Sequence, residues 1–337
     1  MRTDSAPDPA GRTAAPADVR GGPWLVIVNP SSGRGRAHAA ERAIRDGARA
    51  ASQRIEVRRT GDGTDPRRWA RAAADEGFRA VVAVGGDGTV AAAANGLLDA
   101  GAQLPLGIVP TGTGNGLARV LRMPFDPGRA FRALLDGSVV QIDVIDVRCA
   151  SDAGERAEVA LLFVGAGLDA DLNRDADARS KSRFGFLAYV MAALRNLTRL
   201  HRHRVCLTVD GVQHDVAAHT VSVFNGGRMV LAGVPIGPDA DPHDGHLDVA
   251  VLRATGFWRS LAGVVRLATR DGSRQAFAPA RGVRVEARPT LRVHVDGDVI
   301  GTTPLRATVR PAALRVIAAS PYAAEAAAAA AVPNVGA

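Results

Sequence analysis

The run Trp24-Leu25-Val26-Ile27-Val28 contains no polar position, as a parallel strand buried on both faces requires. A helical pattern from about Ala37 to Ala51 follows, then a strand at Ile55-Glu56-Val57 and a helix opening at Pro66. Ala80-Val81-Val82-Ala83-Val84 is a third strand and Leu106-Gly107-Ile108-Val109 a fourth, each leading into glycines and another helix. This alternation, with Gly- and Thr-rich loops after the strands, predicts a doubly wound α/β domain over residues 23–137.

Beyond Gly137 the rhythm changes. Strand-like runs follow one another with turn residues between them: Ile142 to Val147, Val159 to Val164, Val205 to Val209, Thr220 to Phe224, Leu247 to Leu252 and Leu291 to Val295. Asp210-Gly211 and Asp296-Gly297 are hairpin signals. Two helical patterns, Phe184 to Arg199 and Phe257 to Arg270, interrupt the strands. Residues 138–320 therefore read as a second, mostly antiparallel β-rich domain. Residues 1–22 are polar and proline-rich and 321–337 alanine-rich, and both read as unpacked tails.

Length and composition agree with two globular domains: 337 residues, 47% apolar and 23% charged, which excludes wholesale disorder and a coiled coil. No run approaches the roughly 18 apolar residues of a membrane span, and the N-terminal stretch has no apolar core of a secretory signal. Cys149 and Cys206 lie outside any C-x-x-C pattern, so a disulfide framework and a zinc site are not expected and a reducing cytoplasm is. The net charge is +8, and Lys181 is the only lysine. Arginine matches phosphate geometry, so nucleotide, nucleic acid and anionic membrane are the partners to weigh; biased residue usage is the readier explanation of the excess. Lys181 follows no glycine loop, so the chain has no Walker A motif. The arginines are scattered without interleaved aromatics, and no nucleic-acid partner is expected.

Chemistry concentrates after the strands. Gly85-Gly86-Asp87-Gly88-Thr89 joins a buried strand to a helix, where glycine amides and a helix N-terminus suit a phosphate. Asp87 stands where a carboxylate meets a magnesium ion or its water. A plain βα turn is the alternative. Pro110-Thr111-Gly112-Thr113-Gly114-Asn115-Gly116 follows the fourth strand, Asn29 to Arg36 the first, and Thr60 the second. Four successive loops with phosphate- or ribose-compatible residues favour one nucleotide site over coincidence.

Together these residues resemble the diacylglycerol kinase catalytic-domain family, the bacterial lipid kinases and their sphingosine and ceramide kinase relatives. The resemblance continues in Gly165-Ala166-Gly167-Leu168-Asp169-Ala170, in Asn225-Gly226, in Pro238 to Asp248 and in Val295-Asp296-Gly297-Asp298. It runs from about Trp24 to Ala319. It implies a nucleotide-binding α/β domain plus a β-rich domain, an active site in the cleft between them, and ATP and Mg2+ as cofactors. ATP contacts would be Asn29, Thr60, Gly85, Gly86, Asp87, Gly88, Thr89, Val90, Ala91, Thr113, Gly114 and Asn115. Asp298 would be the general base and Asp87 would act at the catalytic magnesium. Asp241, Asp244 and His246 would hold a structural magnesium, the first and last through backbone oxygens in part, and Asp169 would stand on the substrate side. Oxygen ligands suit magnesium, and phosphoryl transfer needs alignment, charge neutralisation and a carboxylate at the attacking hydroxyl.

The chain departs from the family pattern twice: Ala92 replaces a usual Glu, and Gly116 replaces the Asp of G-T-G-N-D. The expected activity is transfer of the γ-phosphate to a diacylglycerol-like or sphingoid-like hydroxyl, by a cytoplasmic protein touching the anionic inner face of the membrane transiently. Trp258, Leu261, Val265 and Ala268 with interspersed arginines, and Phe184, Phe186, Tyr189 and Met191, are candidates for that contact or for plain core-facing helices. Two rival readings remain at this stage, an NAD kinase-like or other G-G-D-G kinase and a catalytically quiet lipid- or nucleotide-binding regulator; a homodimer is left open.

Overall fold

The computed structural model of the chain describes residues 13–14, 21–61, 64–101, 104–167, 203–231, 234–252, 279–319 and 322. Two compact units emerge: Met1–Ile142 with Ala312–Ala337, and Asp143–Pro311.

In the first unit four parallel strands line up in the order β2-β1-β3-β4: β1 (Trp24–Val28), β2 (Ile55–Arg59), β3 (Ala80–Gly85) and β4 (Leu106–Pro110). Trp24 is in register with Ala80 on one side and Ile55 on the other. Every residue of β1, β3 and β4 is buried, which is why their sequences are apolar throughout. β2 is the edge of this sheet and carries charge: Arg58 pairs with Glu56 and Glu76, and Arg59 with Glu41. The helices are α1 (Arg36–Ala50), α2 (Pro66–Ala72), α3 (Asp87–Asp99), α4 (Gly116–Val120) and α5 (Pro127–Asp136). α2 and α5 start alike, with an aspartate N-cap (Asp65, Asp126) accepting a backbone N–H and proline at the first turn. α5 closes the core through Phe131, whose ring meets Trp24 edge-on at 5.9 Å.

The second unit is almost all antiparallel strand, as the pattern predicts: β5 (Ser138–Ser151), β6 (Gly154–Ala160), β7 (Phe163–Gly167), β8 (His203–Val209), β9 (Val212–Ala218), β10 (Thr220–Phe224), β11 (Gly227–Leu231), β12 (Val234–Ala240), β13 (Asp248–Leu252), β14 (Gly282–Arg288), β15 (Arg292–Val295) and β16 (Asp298–Ala318). One row runs β13-β10-β7-β15-β16 and a second β9-β8-β14-β16. Val164, Leu207, Val221, Val249, Val285, Val293 and Leu305 belong to the shared apolar core. Both predicted hairpin turns form, with Asp210 and Asp296 in left-handed backbone ahead of their glycines.

Two features differ from the expected boundaries. β16 is 21 residues long, and its end returns to the first unit, where Val316 pairs in parallel with Leu106. Pro311, exposed, and Ala312, at φ 50°, interrupt the alternation at the crossing, with Val309 buried before them and Leu314 after, but nothing in the sequence says which sheet the strand joins next. Within the stretches read as tails, Thr13–Ala14 pairs with Val139 and Val140, and Tyr322 is buried. The helical patterns Phe184 to Arg199 and Phe257 to Arg270 lie outside the described residues. Among the described residues no helix is long and apolar enough to cross a membrane.

Candidate functional site

The loops after β1, β3 and β4 meet at the carboxyl ends of their strands and hold one another. Asn29 Nδ2 donates to Thr89 Oγ1 at 3.1 Å, and Asn29 Oδ1 accepts from Ser31 N–H at 3.0 Å. Thr111 Oγ1 donates to Ser32 Oγ at 3.0 Å. The backbone closes the seam, with Thr111 N–H on Gly85 O at 2.9 Å and Asn29 N–H on Val84 O at 2.9 Å. Thr60, after β2, is half-buried and tied to the same strand ends by its N–H on Val28 O at 2.8 Å.

Asp87 opens α3 and locks the third loop. Its Oδ2 accepts from Asn115 N–H at 2.8 Å and its Oδ1 from Gly116 N–H at 2.6 Å. The carboxylate therefore caps α4, and a Cβ on Gly114 would lie 2.5 Å from Asp87 Oδ2. Gly112 approaches the Gly86 backbone as closely: its Cβ would lie 2.5 Å from Gly86 Cα. Asn115, in left-handed backbone at φ 52°, donates Nδ2 to Gly112 O at 2.8 Å, and its Oδ1 is buried with no hydrogen-bond partner. Thr89 and Val90 are buried, Asp87 and Ala91 half-buried, and Gly88, Thr113 and Gly114 exposed. What results is a strand-end surface of backbone amides, hydroxyls and one helix N-terminus, a donor set that suits phosphate.

In the second unit the Asp241–His246 loop is bonded within itself. Asp241 Oδ1 accepts from His243 N–H at 3.1 Å, and Asp244 Oδ1 from His246 N–H at 2.8 Å. The loop is pinned from below by Asp143, fully buried, whose Oδ2 accepts from Gly245 N–H at 2.7 Å and whose N–H donates to Pro242 O at 2.7 Å. Burial pushes the Asp244 carboxyl up to about 6, with the His246 amide opposing and the Asp241 charge adding to the rise. Among the described residues no three His, Cys, Asp or Glu side chains gather to hold a metal. The side chains of Asp241, Asp244 and His246 alone thus form no cage, although carboxylate and carbonyl oxygens here suit a hard cation.

Asp298 opens β16 and is exposed, beside Val299, which is 47% exposed and one of three large hydrophobics left so among the described residues. Asp169 lies outside the described residues. Ser32, Thr111 and Asp143 are functional neighbours that the sequence reading does not single out. The two hydroxyls stand inside loops already chosen, and Asp143 carries a visible signal as an acid within the apolar run Val139 to Val147.

Residues 23–147 match the diacylglycerol kinase catalytic domain, and residues 162–318 the YegS C-terminal NAD kinase beta sandwich-like domain. The chain is 33% identical to a diacylglycerol kinase of Mycobacterium tuberculosis over 88% of its own length and 95% of that protein. It is 29% identical, over 87% of its length and 92% of the relative, to a Pseudomonas aeruginosa protein named "Probable lipid kinase YegS-like". Among solved structures, a diacylglycerol kinase from Bacillus anthracis superposes with a TM-score of 0.72 at 24% identity, covering 89% of this chain and 98% of that one. Yeast NADH kinase shares the fold at a TM-score of 0.52 and 10% identity, over 94% and 89% of the two chains. The chain belongs to the diacylglycerol kinase family.

Proposed function

We propose that the protein is a lipid kinase transferring the γ-phosphate of ATP, carried as its Mg2+ complex, to a diacylglycerol-like or sphingoid-like hydroxyl. The observation that carries the nucleotide half is the interlock of Asn29, Gly85–Thr89 and Thr111–Asn115, which leaves amides and hydroxyls at a helix N-terminus for a polyphosphate. Thr60, Val90, Ala91 and Thr113 border it. Asp298 takes the proton of the acceptor hydroxyl as that oxygen bonds to the γ-phosphorus, the bond to the β,γ-bridging oxygen breaks, and ADP leaves. Exposed Val299 beside Asp298 supports an apolar acceptor. In this reading Asp87 fixes the loop that meets the nucleotide and its metal. Asp241, Asp244 and backbone oxygens up to His246 hold a structural magnesium ion, whose charge would offset the crowded acids there. The protein works at the inner face of the membrane through transient contact with anionic lipid, with no nucleic-acid partner.

The test is transfer of labelled phosphate from ATP to mixed micelles of diacylglycerol, monoacylglycerol, sphingosine and ceramide. Free NAD and fructose 6-phosphate serve as controls. Label on one lipid class, lowered about 100-fold or more by Asp298→Ala with ATP affinity retained, is the expected result. Label on NAD or the sugar refutes the lipid acceptor, and ATP binding without transfer to any acceptor refutes the kinase in favour of a quiet regulator.

A further inference from the structure

Asp298 is held in place by an arrangement that a hairpin turn does not need. Asp296, two residues before it, sits at φ 48° and Gly297 at φ 104°, a shape that Asp-Gly and Asn-Gly adopt equally well. What Asn does not supply is a second acceptor oxygen. The Asp296 carboxylate uses both: Oδ2 accepts from Leu161 N–H at 2.7 Å, and Oδ1 accepts from Leu162 and Phe163 N–H at 3.0 Å each. Asp296 N–H returns a bond to Phe163 O at 3.0 Å.

The three-residue platform is fixed from its other side as well. Asn225, fully buried, donates its N–H to Leu162 O at 2.7 Å and Nδ2 to Leu161 O at 2.9 Å and to Asp143 O at 2.8 Å. Leu161–Phe163 is thus bonded from both sides, and the carboxylate of Asp296, together with its N–H, fastens the turn to it. A single glycine separates Asp296 from Asp298, so any drift of Asp296 is passed on to the exposed carboxylate that opens β16.

We propose that Asp296 is the positioning residue of the phosphoryl transfer: its carboxylate, seated on the Leu161–Phe163 amides, holds Asp298 where the acceptor hydroxyl is deprotonated. This rests on Asp298 as the base. A misplacement of about 1 Å is worth up to roughly 100-fold in rate, so the expected loss for Asp296→Asn is about 10- to 100-fold in kcat, with KM for ATP within about twofold.

The experiment is a double-mutant cycle of Asp296→Asn and Asp298→Ala on the full chain. Steady-state kinetics against the lipid acceptor are read beside amide hydrogen exchange at Leu161–Phe163 and thermal unfolding. The expected result is faster exchange at those three amides in Asp296→Asn, and no further loss of kcat when Asp296→Asn is added to Asp298→Ala. Asp296→Glu, which keeps the charge, recovers part of kcat. Losses that multiply in the double variant, an unchanged kcat, or unchanged protection at Leu161–Phe163 each overturn the proposal. So does a kcat that merely follows Tm across Asn and Glu, which also covers an Asp296→Asn chain that fails to fold. Wild-type kcat in Asp298→Ala marks the separate failure of the base assignment, whatever Asp296→Asn does.

Discussion

Gly88 separates what the fold demands from what a ligand demands. It is the second residue of α3, its φ is not left-handed, and a Cβ built on it meets nothing within 4 Å. Alanine in a compatible helical position stabilises by about 0.5–1 kcal/mol, so Gly88→Ala raises Tm in the absence of nucleotide. If polyphosphate lies against the Gly85–Thr89 amides, the same methyl group displaces it. Loss of one charge-assisted hydrogen bond is worth about 1.5–3 kcal/mol, or about 10- to 100-fold in Kd. Gly114→Ala is the opposite case, because its Cβ would lie 2.5 Å from Asp87 Oδ2. It pushes the carboxylate off the Asn115 and Gly116 amides and costs stability, by about 1–3 kcal/mol. The assay is thermal unfolding of both variants without nucleotide and calorimetric titration with Mg2+·ATP. A Gly88→Ala protein that is more stable and binds ATP as tightly as wild type removes the phosphates from this loop. A Gly114→Ala protein with wild-type Tm refutes the Asp87 lock.

Two further outcomes are expected. Glu41, buried and hydrogen-bonded by Arg59 and Arg45, has its carboxyl held below the usual range chiefly by Arg59. Its stabilisation is present above the unfolded value near 4.5 and fades as pH falls through the lower folded value. Glu41→Gln therefore loses about 1–2 kcal/mol at pH 7, a gap to wild type that closes on acidification in urea melts. Gly116→Asp sets a second carboxylate beside that of Asp87, on the order of 6 Å away, and lowers stability by about 1–2 kcal/mol in EDTA. Mg2+ restores its Tm if a cation settles between the two, and a Tm indifferent to Mg2+ shows that none does.

Strands were legible where burial is complete. β1, β3 and β4 are apolar at every position because both faces are covered. β5 reads as Ile142 to Val147 in sequence but spans Ser138–Ser151, since Gln141 before that run and Arg148 after it interrupt the apolar pattern. Asp143 is satisfied there in part by a loop a hundred residues on, its carboxylate accepting from the Gly245 N–H. The return of β16 to the first unit was illegible for the same reason: the Val316–Leu106 pairing is decided by tertiary proximity. At the site, residue identity was readable and engagement was not. The glycine loops stand out by composition, whereas the capture of Asn115 and Gly116 by Asp87 joins positions 28 and 29 apart. Asp296 reads as a turn former, and only the structure shows that its carboxylate serves three amides.

That engagement also changes the meaning of the two departures from the family pattern. In sequence, Ala92 and Gly116 each remove a carboxylate that the family pattern carries. In the structure, the Gly116 N–H is occupied by Asp87, so the loop is closed without a side chain at 116. Within these loops acid is scarce, Asp87 being the carboxylate that Gly85–Thr89 and Thr111–Asn115 share, while the Ser32 hydroxyl and the Gly86–Gly88 amides at the α3 N-terminus are donors not spent inside the loops. A surface so rich in donors and poor in charge binds a bare divalent cation weakly and a polyanion well. A metal carried by the nucleotide would then need no cage at these strand ends, and Asp87 would serve by holding the loop that receives the phosphates.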